Sequence, residues 1–108
     1  MSAVLQSHQN FDIRSERTGD TVRLHLSGEI DMGTATVLEA WLSQAECDPD
    51  WGIFVDLEKV TFMDSSGVHV FLRAADRASQ SGSQFAIVNA SPIVERVFQL
   101  TRSGHLLS

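Results

Sequence analysis

Ile53-Phe54-Val55-Asp56-Leu57 is a nearly continuous apolar run, and Phe62-Met63-Asp64-Ser65-Ser66-Gly67-Val68 follows it. The first stretch reads as a central strand. Beyond the second, Val68, Phe71, Leu72, Ala75 and Ala78 make an inward helical stripe, with His69, Arg73, Asp76 and Gln80 on the other side and Gly82 at the end. Ser65 and Ser66 therefore fall where a helix presents N–H groups without partners and a dipole that favours negative charge. A phosphate placed there would be held by those groups, which suits a reversible serine switch. Asp64 and the serines are equally the residue types that cap helices for stability alone, so spacing by itself leaves both readings open. Gly67 lets the turn approach other backbone closely under either reading.

Working outward, Phe11-Asp12-Ile13 begins an alternating segment, Thr18-Gly19-Asp20 reads as a turn, and Val22, Leu24 and Leu26 alternate with Arg23, His25 and Ser27. This pattern is that of an antiparallel hairpin with one buried face. Gly28-Glu29-Ile30-Asp31 ends the second strand, and Ala35, Leu38, Trp41, Leu42 and Ala45 recur at helical spacing. Thr36 with Glu39 offers a capping box, Thr34 is an equal candidate for the cap, and Asp48-Pro49 stops the helix. Phe85-Ala86-Ile87-Val88 reads as a further strand. Ser91-Pro92 starts a last helix with Ile93, Val94, Val97, Phe98 and Thr101 on its apolar face and Gly104 closing it. Leu106-Leu107 is a candidate short final strand. Residues 1–10 read as a flexible polar lead-in to a single domain over 11–108.

The order β-β-α-β-α-β-α predicts an α/β fold, a mixed sheet with helices packed against it. Right-handed crossovers make the strands flanking the first helix parallel, so both run out at one edge. Open α/β sheets place their sites there. Asp31 and the Asp64-Ser65-Ser66 loop are thereby expected to emerge together, although Asp31 has the alternative of being a plain cap.

The 108 residues suffice for one core, and the composition, 43% hydrophobic and 20% charged, is that of a globular chain. A net charge of −6 repels nucleic acid and anionic membranes and favours a partner with a basic patch. Cys47 is the only cysteine, no Cys/His spacing suits zinc, and no apolar run has the length of a membrane span. No signal peptide opens the chain, and a cytoplasmic setting fits. Cys47, Trp41 and Trp51 are expected in or near the core, with Trp51 also a candidate for an exposed turn. Asp56 is expected to satisfy backbone or turn groups near its strand end. A hydrolase built on Asp64, Ser65 or Ser66 and His69 needs an oriented base and a nearby oxyanion hole, but His69 lies one turn into the helix and there is no Gly-x-Ser-x-Gly elbow. A phosphate-accepting aspartate lacks its acidic cluster, and no P-loop is present.

The residues quoted so far resemble the STAS family, and within it the bacterial anti-sigma factor antagonists. Gly28-Glu29-Ile30-Asp31 resembles the family's turn before the first helix, and Phe62 to Val68 its switch loop. Ser91-Pro92 with Val94, Arg96, Val97 and Phe98 resembles its last shared helix, and Thr101-Arg102-Ser103-Gly104-His105-Leu106 the segment after it. The resemblance spans about residues 11 to 107. It implies a non-enzymatic antagonist, with no cofactor of its own, that binds an anti-sigma factor serine kinase and frees the sigma factor. Phosphorylation at Ser65 switches binding off, and a serine phosphatase restores it. Asp31, Asp64, Ser66, Gly67 and His69 are implied as the switch-loop and partner-binding residues. The alternative is a STAS scaffold or adaptor in a signalling complex or transport system. Two departures stand out: His69 lies where the best-known antagonists often carry glycine, and the chain stops at Ser108, before the further C-terminal helix of many relatives.

Overall fold

The computed structural model describes residues 2–8, 10–46 and 52–107, the first of these stretches by its backbone. Along the chain run β1 (Ser2–His8), β2 (Phe11–Thr18), β3 (Thr21–Ile30), α1 (Met32–Ala45), β4 (Gly52–Met63), α2 (Ser65–Ser81), β5 (Phe85–Val88), α3 (Pro92–Leu100) and a 3-10 turn at Gly104–Leu106. The five strands lie in the order β1-β2-β3-β4-β5. β1, β2 and β3 are antiparallel neighbours, whereas β3–β4 and β4–β5 are parallel. The mixed sheet and the parallel strands on either side of α1 are as the sequence predicts.

Alternation explains which side of the sheet became the core. Val22, Leu24 and Leu26 of β3, Ile53, Val55 and Leu57 of β4 and Ile87 of β5 are buried, and residues of all three helices, among them Leu38 and Leu42 of α1, Val68 and Phe71 of α2 and Val94 and Phe98 of α3, join them in one cluster. Phe71 of α2 and Phe98 of α3 stack with ring centroids 6.2 Å apart. The intervening positions carry Arg23, His25, Phe54 and Asp56, so the Ile53–Leu57 run is two-faced rather than apolar on both sides. Between the helices, the Arg77 guanidinium grips Glu46 through Nε (2.6 Å) and Nη2 (3.0 Å) and Glu39 through Nη1 (3.0 Å). This bidentate pair fixes α2 against the C-terminal half of α1.

Several expectations are corrected. Ser2–His8 is not a lead-in but an edge strand, pairing from His8↔Phe11 to Ser2↔Glu16 with a bulge between Val4 and Gln6. Its sequence, three consecutive apolar residues (Ala3-Val4-Leu5) between polar ones, does not alternate, yet the open edge of β2 supplies backbone partners regardless of side chain. β4 does not stop at Leu57 but continues to Met63, with Val60 and Met63 buried. Asp56 is therefore mid-strand: its Oδ1 accepts from the Glu58 N–H (3.0 Å) and its Oδ2 from the Asn89 amide (3.0 Å), with Arg23 and His25 at 3.8 and 3.7 Å. Ile93 is exposed, leaving Val94 and Phe98 as the buried residues of α3. That helix is closed not by Gly104 but by Arg102 in the left-handed region (φ 58°), with the Ser103 N–H bonded to the Phe98 carbonyl at 2.7 Å. Leu106 lies in the 3-10 turn, and Leu107 makes a single parallel bridge to Ile87 instead of a strand. Trp41 packs against the core. Cys47, the Asp48-Pro49 stop and Trp51 lie outside the described residues.

One glycine positions the exit of β3. Gly28 has φ 94°, and a Cβ built there would stand 1.8 Å from the Asn10 carbonyl oxygen. That oxygen accepts the Glu29 N–H at 2.6 Å. The close approach sets the direction in which β3 delivers Ile30 and Asp31.

Candidate functional site

Ile30 and Met63 end β3 and β4 as register partners, and the Asp64 N–H donates to the Ile30 carbonyl at 3.1 Å. One residue past each strand end stands an aspartate in extended conformation, Asp31 at φ −118° and Asp64 at φ −106°, and each is the N-cap of the next helix. The two N-termini thus start side by side, as the topology predicts. Their positive dipole ends meet two carboxylates at one edge of the sheet.

Asp31 caps α1 through a reciprocal pair. Its Oδ1 accepts the Thr34 N–H at 3.0 Å, while the Thr34 hydroxyl oxygen accepts the Asp31 N–H at 2.9 Å. The same hydroxyl lies 2.9 Å from the Glu29 carbonyl and 3.2 Å from Asp31 Oδ1, and its single proton is shared between these two acceptors across the turn. The cap is therefore Asp31, not Thr34 or Thr36, and Thr34 is the third helical residue of an acid-first capping box. The Thr34 N–H holds the Asp31 carboxyl below its usual range against the opposing pull of burial, and the Thr34 hydroxyl and the Gly33 N–H add to the lowering. A carboxyl lowered in the folded state adds stability above its ordinary range and loses it as pH falls through its own lowered value. The first turn of α1 is accordingly expected to loosen below about pH 4. Amide exchange at Thr34 from acid to neutral pH checks this, with Asp31→Asn expected to remove the acid step; an identical acid step in both proteins contradicts it.

Asp64 caps α2 differently. Its Oδ1 accepts the Ser66 N–H at 2.8 Å, and its carbonyl accepts the Gly67 N–H at 3.1 Å. Ser65 is the first residue of the helix, is exposed, and makes no side-chain hydrogen bond among the described residues. Ser66 is half-buried in the same turn. Gly67 is pressed onto the two strand ends: a Cβ there would lie 2.7 Å from Met63 Cγ and 2.8 Å from Ile30 Cγ2. The absent side chain allows the first turn of α2 to sit directly on the sheet edge and holds Ser65 at its rim. His69, one turn further, is exposed and makes no hydrogen bond or ion pair among the described residues.

The chemistry available follows from this geometry. The Ser65 hydroxyl is presented to solvent, and no base is hydrogen-bonded to it among the described residues. Beside it, α1 and α2 border an open groove of about 500 Å³ edged by Met32, Thr36, Glu39, Ser66, His69 and Arg73. The exposed Met32 and Phe62 at this edge were not singled out in the sequence. Phe62 had a readable signal, since it alternates with the buried Met63 once the strand is known to continue. No helix among the described residues is long and apolar enough to cross a membrane.

A mixed sheet whose parallel strands deliver two aspartate-capped helices, with serines in the first turn of the second, is that of a STAS domain. The family model described as STAS domain matches residues 12–107, and the chain belongs to that family. Within the family it stands among the anti-sigma factor antagonists. It is similar to the anti-sigma-B factor antagonist of Staphylococcus aureus, 28% identical over 92 residues and 85% of each chain. It is similar in structure to the anti-sigma factor antagonist SpoIIAA in its unphosphorylated form, with a TM-score of 0.77 at 28% identity over 89% of this chain and 85% of that one. The phosphorylated form of the Bacillus cell fate determinant SpoIIAA gives 0.70 at 28% identity over 89% and 88%.

Proposed function

We propose that this chain is an anti-sigma factor antagonist whose unmodified form binds an anti-sigma factor serine kinase, and that phosphorylation of Ser65 ends that complex. The observation that carries the reading is the exposed, unengaged Ser65 hydroxyl at the start of α2, beside the capped start of α1. The names of the relatives support it, as does a relative solved in both unphosphorylated and phosphorylated forms. In this reading the chain is not an enzyme. The kinase brings Mg-ATP, the γ-phosphoryl group passes from ATP to Ser65 Oγ as ADP and the hydroxyl proton leave, and a serine phosphatase restores the hydroxyl by hydrolysis, with water as the attacking group and inorganic phosphate released. Asp64 and Gly67 hold the loop, Asp31 sets the neighbouring helix and adds negative charge, and Ser66 and His69 lie in the surface the partner covers. The setting is the cytoplasm.

Paired pull-downs from the native host test this, with the wild-type chain and Ser65→Asp as baits. A kinase-type anti-sigma factor held by the first and absent from the second is the expected result. The same partners on both baits, with no such kinase among them, would overturn the switch and favour a scaffold role.

A further inference from the structure

The exposed side chains in the first half of α2 fall on one line. Ser65, His69 and Arg73 are exposed at spacings of four residues, whereas Gly67, Val68, Val70 and Phe71 between them are buried. Four residues carry a helix only about 40° past a full turn, so Ser65 and His69 are surface neighbours with Cβ atoms about 5–6 Å apart. Direction adds to spacing. Each Cα–Cβ bond of a helix tilts towards the N-terminus, so a long side chain covers the turn before its own. The His69 ring is thereby carried over the turn that opens with Ser65.

His69 is uncommitted, with no hydrogen bond or ion pair among the described residues. The charged groups around it are already answered. Arg73 Nε lies 3.8 Å from Glu39 Oε1 of α1, and that oxygen also accepts from Arg77 Nη1 at 3.0 Å. Asp31 and Asp64 cap the two helices and accept the backbone N–H groups of Thr34 and Ser66.

We propose that His69 is the counter-charge of the modified switch: once Ser65 carries a phosphate, the imidazolium donates a hydrogen bond to it from one turn along α2. This rests on the function proposed above and assigns what holds the phosphate once it is in place. The serine hydroxyl is too short to meet the ring, but a phosphate reaches further and brings three acceptor oxygens. A neighbouring cation favours the doubly charged phosphate over the singly charged one. The modified switch therefore keeps its full charge to lower pH than an isolated phosphoserine, whose second proton leaves at about pH 6. Arg73 is two turns from Ser65 and shares Glu39, so it contributes less.

The test uses the full chain with phosphoserine placed at position 65 during synthesis by codon suppression, so that no kinase is needed. The phosphorus NMR resonance is followed against pH for the wild type, His69→Gln, His69→Lys and Arg73→Gln. The titration midpoint is expected to rise by about 0.3 pH or more in His69→Gln, the size of one pair at this spacing. It should lie at or below the wild-type value in His69→Lys, where the charge is permanent, and move less in Arg73→Gln. At pH 6.5 the phosphate should also raise the melting temperature by about 2 °C more in the wild type than in His69→Gln. Equal midpoints and equal gains in these two proteins overturn the pairing and leave the kinase switch standing. A midpoint raised as much by lysine as by glutamine, or moved by Arg73→Gln alone, overturns it as well. A pairing seen in a chain that the cognate kinase neither binds nor modifies keeps the pairing and overturns the function proposed above.

Discussion

Gly28→Ala is expected to be the most damaging single methyl added to this chain. Gly28 holds φ at 94°, a conformation that costs a side-chain-bearing residue about 1–3 kcal/mol. The added carbon would also fall 1.8 Å from the Asn10 carbonyl oxygen and 2.6 Å from its carbon, both backbone atoms that no rotamer change can move aside. Relief requires that the start of β2 part from β3, which breaks the 2.6 Å bond from the Glu29 N–H to Asn10 and unsettles Phe11, a buried residue of the core. Together these point to a loss of about 3 kcal/mol or more, against the 5–15 kcal/mol typical of a whole domain. At this chain length that is a fall in melting temperature of roughly 12 °C or more. Thermal unfolding followed by circular dichroism checks it, and a melting temperature within about 3 °C of wild type would contradict the account of the β3 exit.

Ser65→Asp is expected to leave the fold intact and to weaken kinase binding by at least tenfold. The residue is exposed at the first position of α2, where a negative charge is favoured by about 0.3–1 kcal/mol by the helix dipole, so the free protein gains slightly. Bound to a kinase whose active site carries its own acidic groups, the same charge is repelled by about 1–3 kcal/mol per charge pair at a partly screened surface. Every 1.4 kcal/mol is about tenfold in affinity. A phosphoserine carries about −1.5 to −2 charges and exceeds the effect of aspartate. Ser65→Ala removes the acceptor and adds no charge, so it should stay bound when Mg-ATP is present. Calorimetric titration of the kinase with the three proteins measures all of this, and equal affinities for the alanine and aspartate variants would sink the electrostatic switch.

The core of this design is legible in the sequence for physical reasons. Val22, Leu24 and Leu26 alternate because one face of β3 is buried, and the Val68-Phe71-Ala78 spacing follows from packing α2 on that same core. Handedness then forces β3 and β4 parallel, which brings Asp31 and Asp64 to one edge without any knowledge of side-chain positions. What the sequence hides is what depends on partners distant along the chain. β1 is stabilised by the open backbone of β2 and leaves no periodic mark. The end of β4 cannot be seen because Glu58, Lys59 and Thr61 look like a loop, whereas Lys59 and Val60 pair with Ser27 and Gly28 and the strand carries Glu58 and Thr61 through two register shifts. The choice of Asp31 over Thr34 or Thr36 as cap turns on the Thr34 hydroxyl reaching back to Glu29, a contact set by the turn. Ile93 reads as part of an apolar face, yet the short α3 buries only Val94 and Phe98.

The account stands most directly on one comparison, the affinity of the purified cognate anti-sigma kinase for this chain before and after that kinase has modified it with Mg-ATP. The phosphate is mapped by mass spectrometry in the same sample. The predicted result is a single phosphate on Ser65 and binding weaker by about a hundredfold, the effect of roughly 3 kcal/mol of repulsion. A phosphorylated chain that binds as tightly as the unmodified one, or a phosphate carried elsewhere with Ser65 untouched, would contradict it.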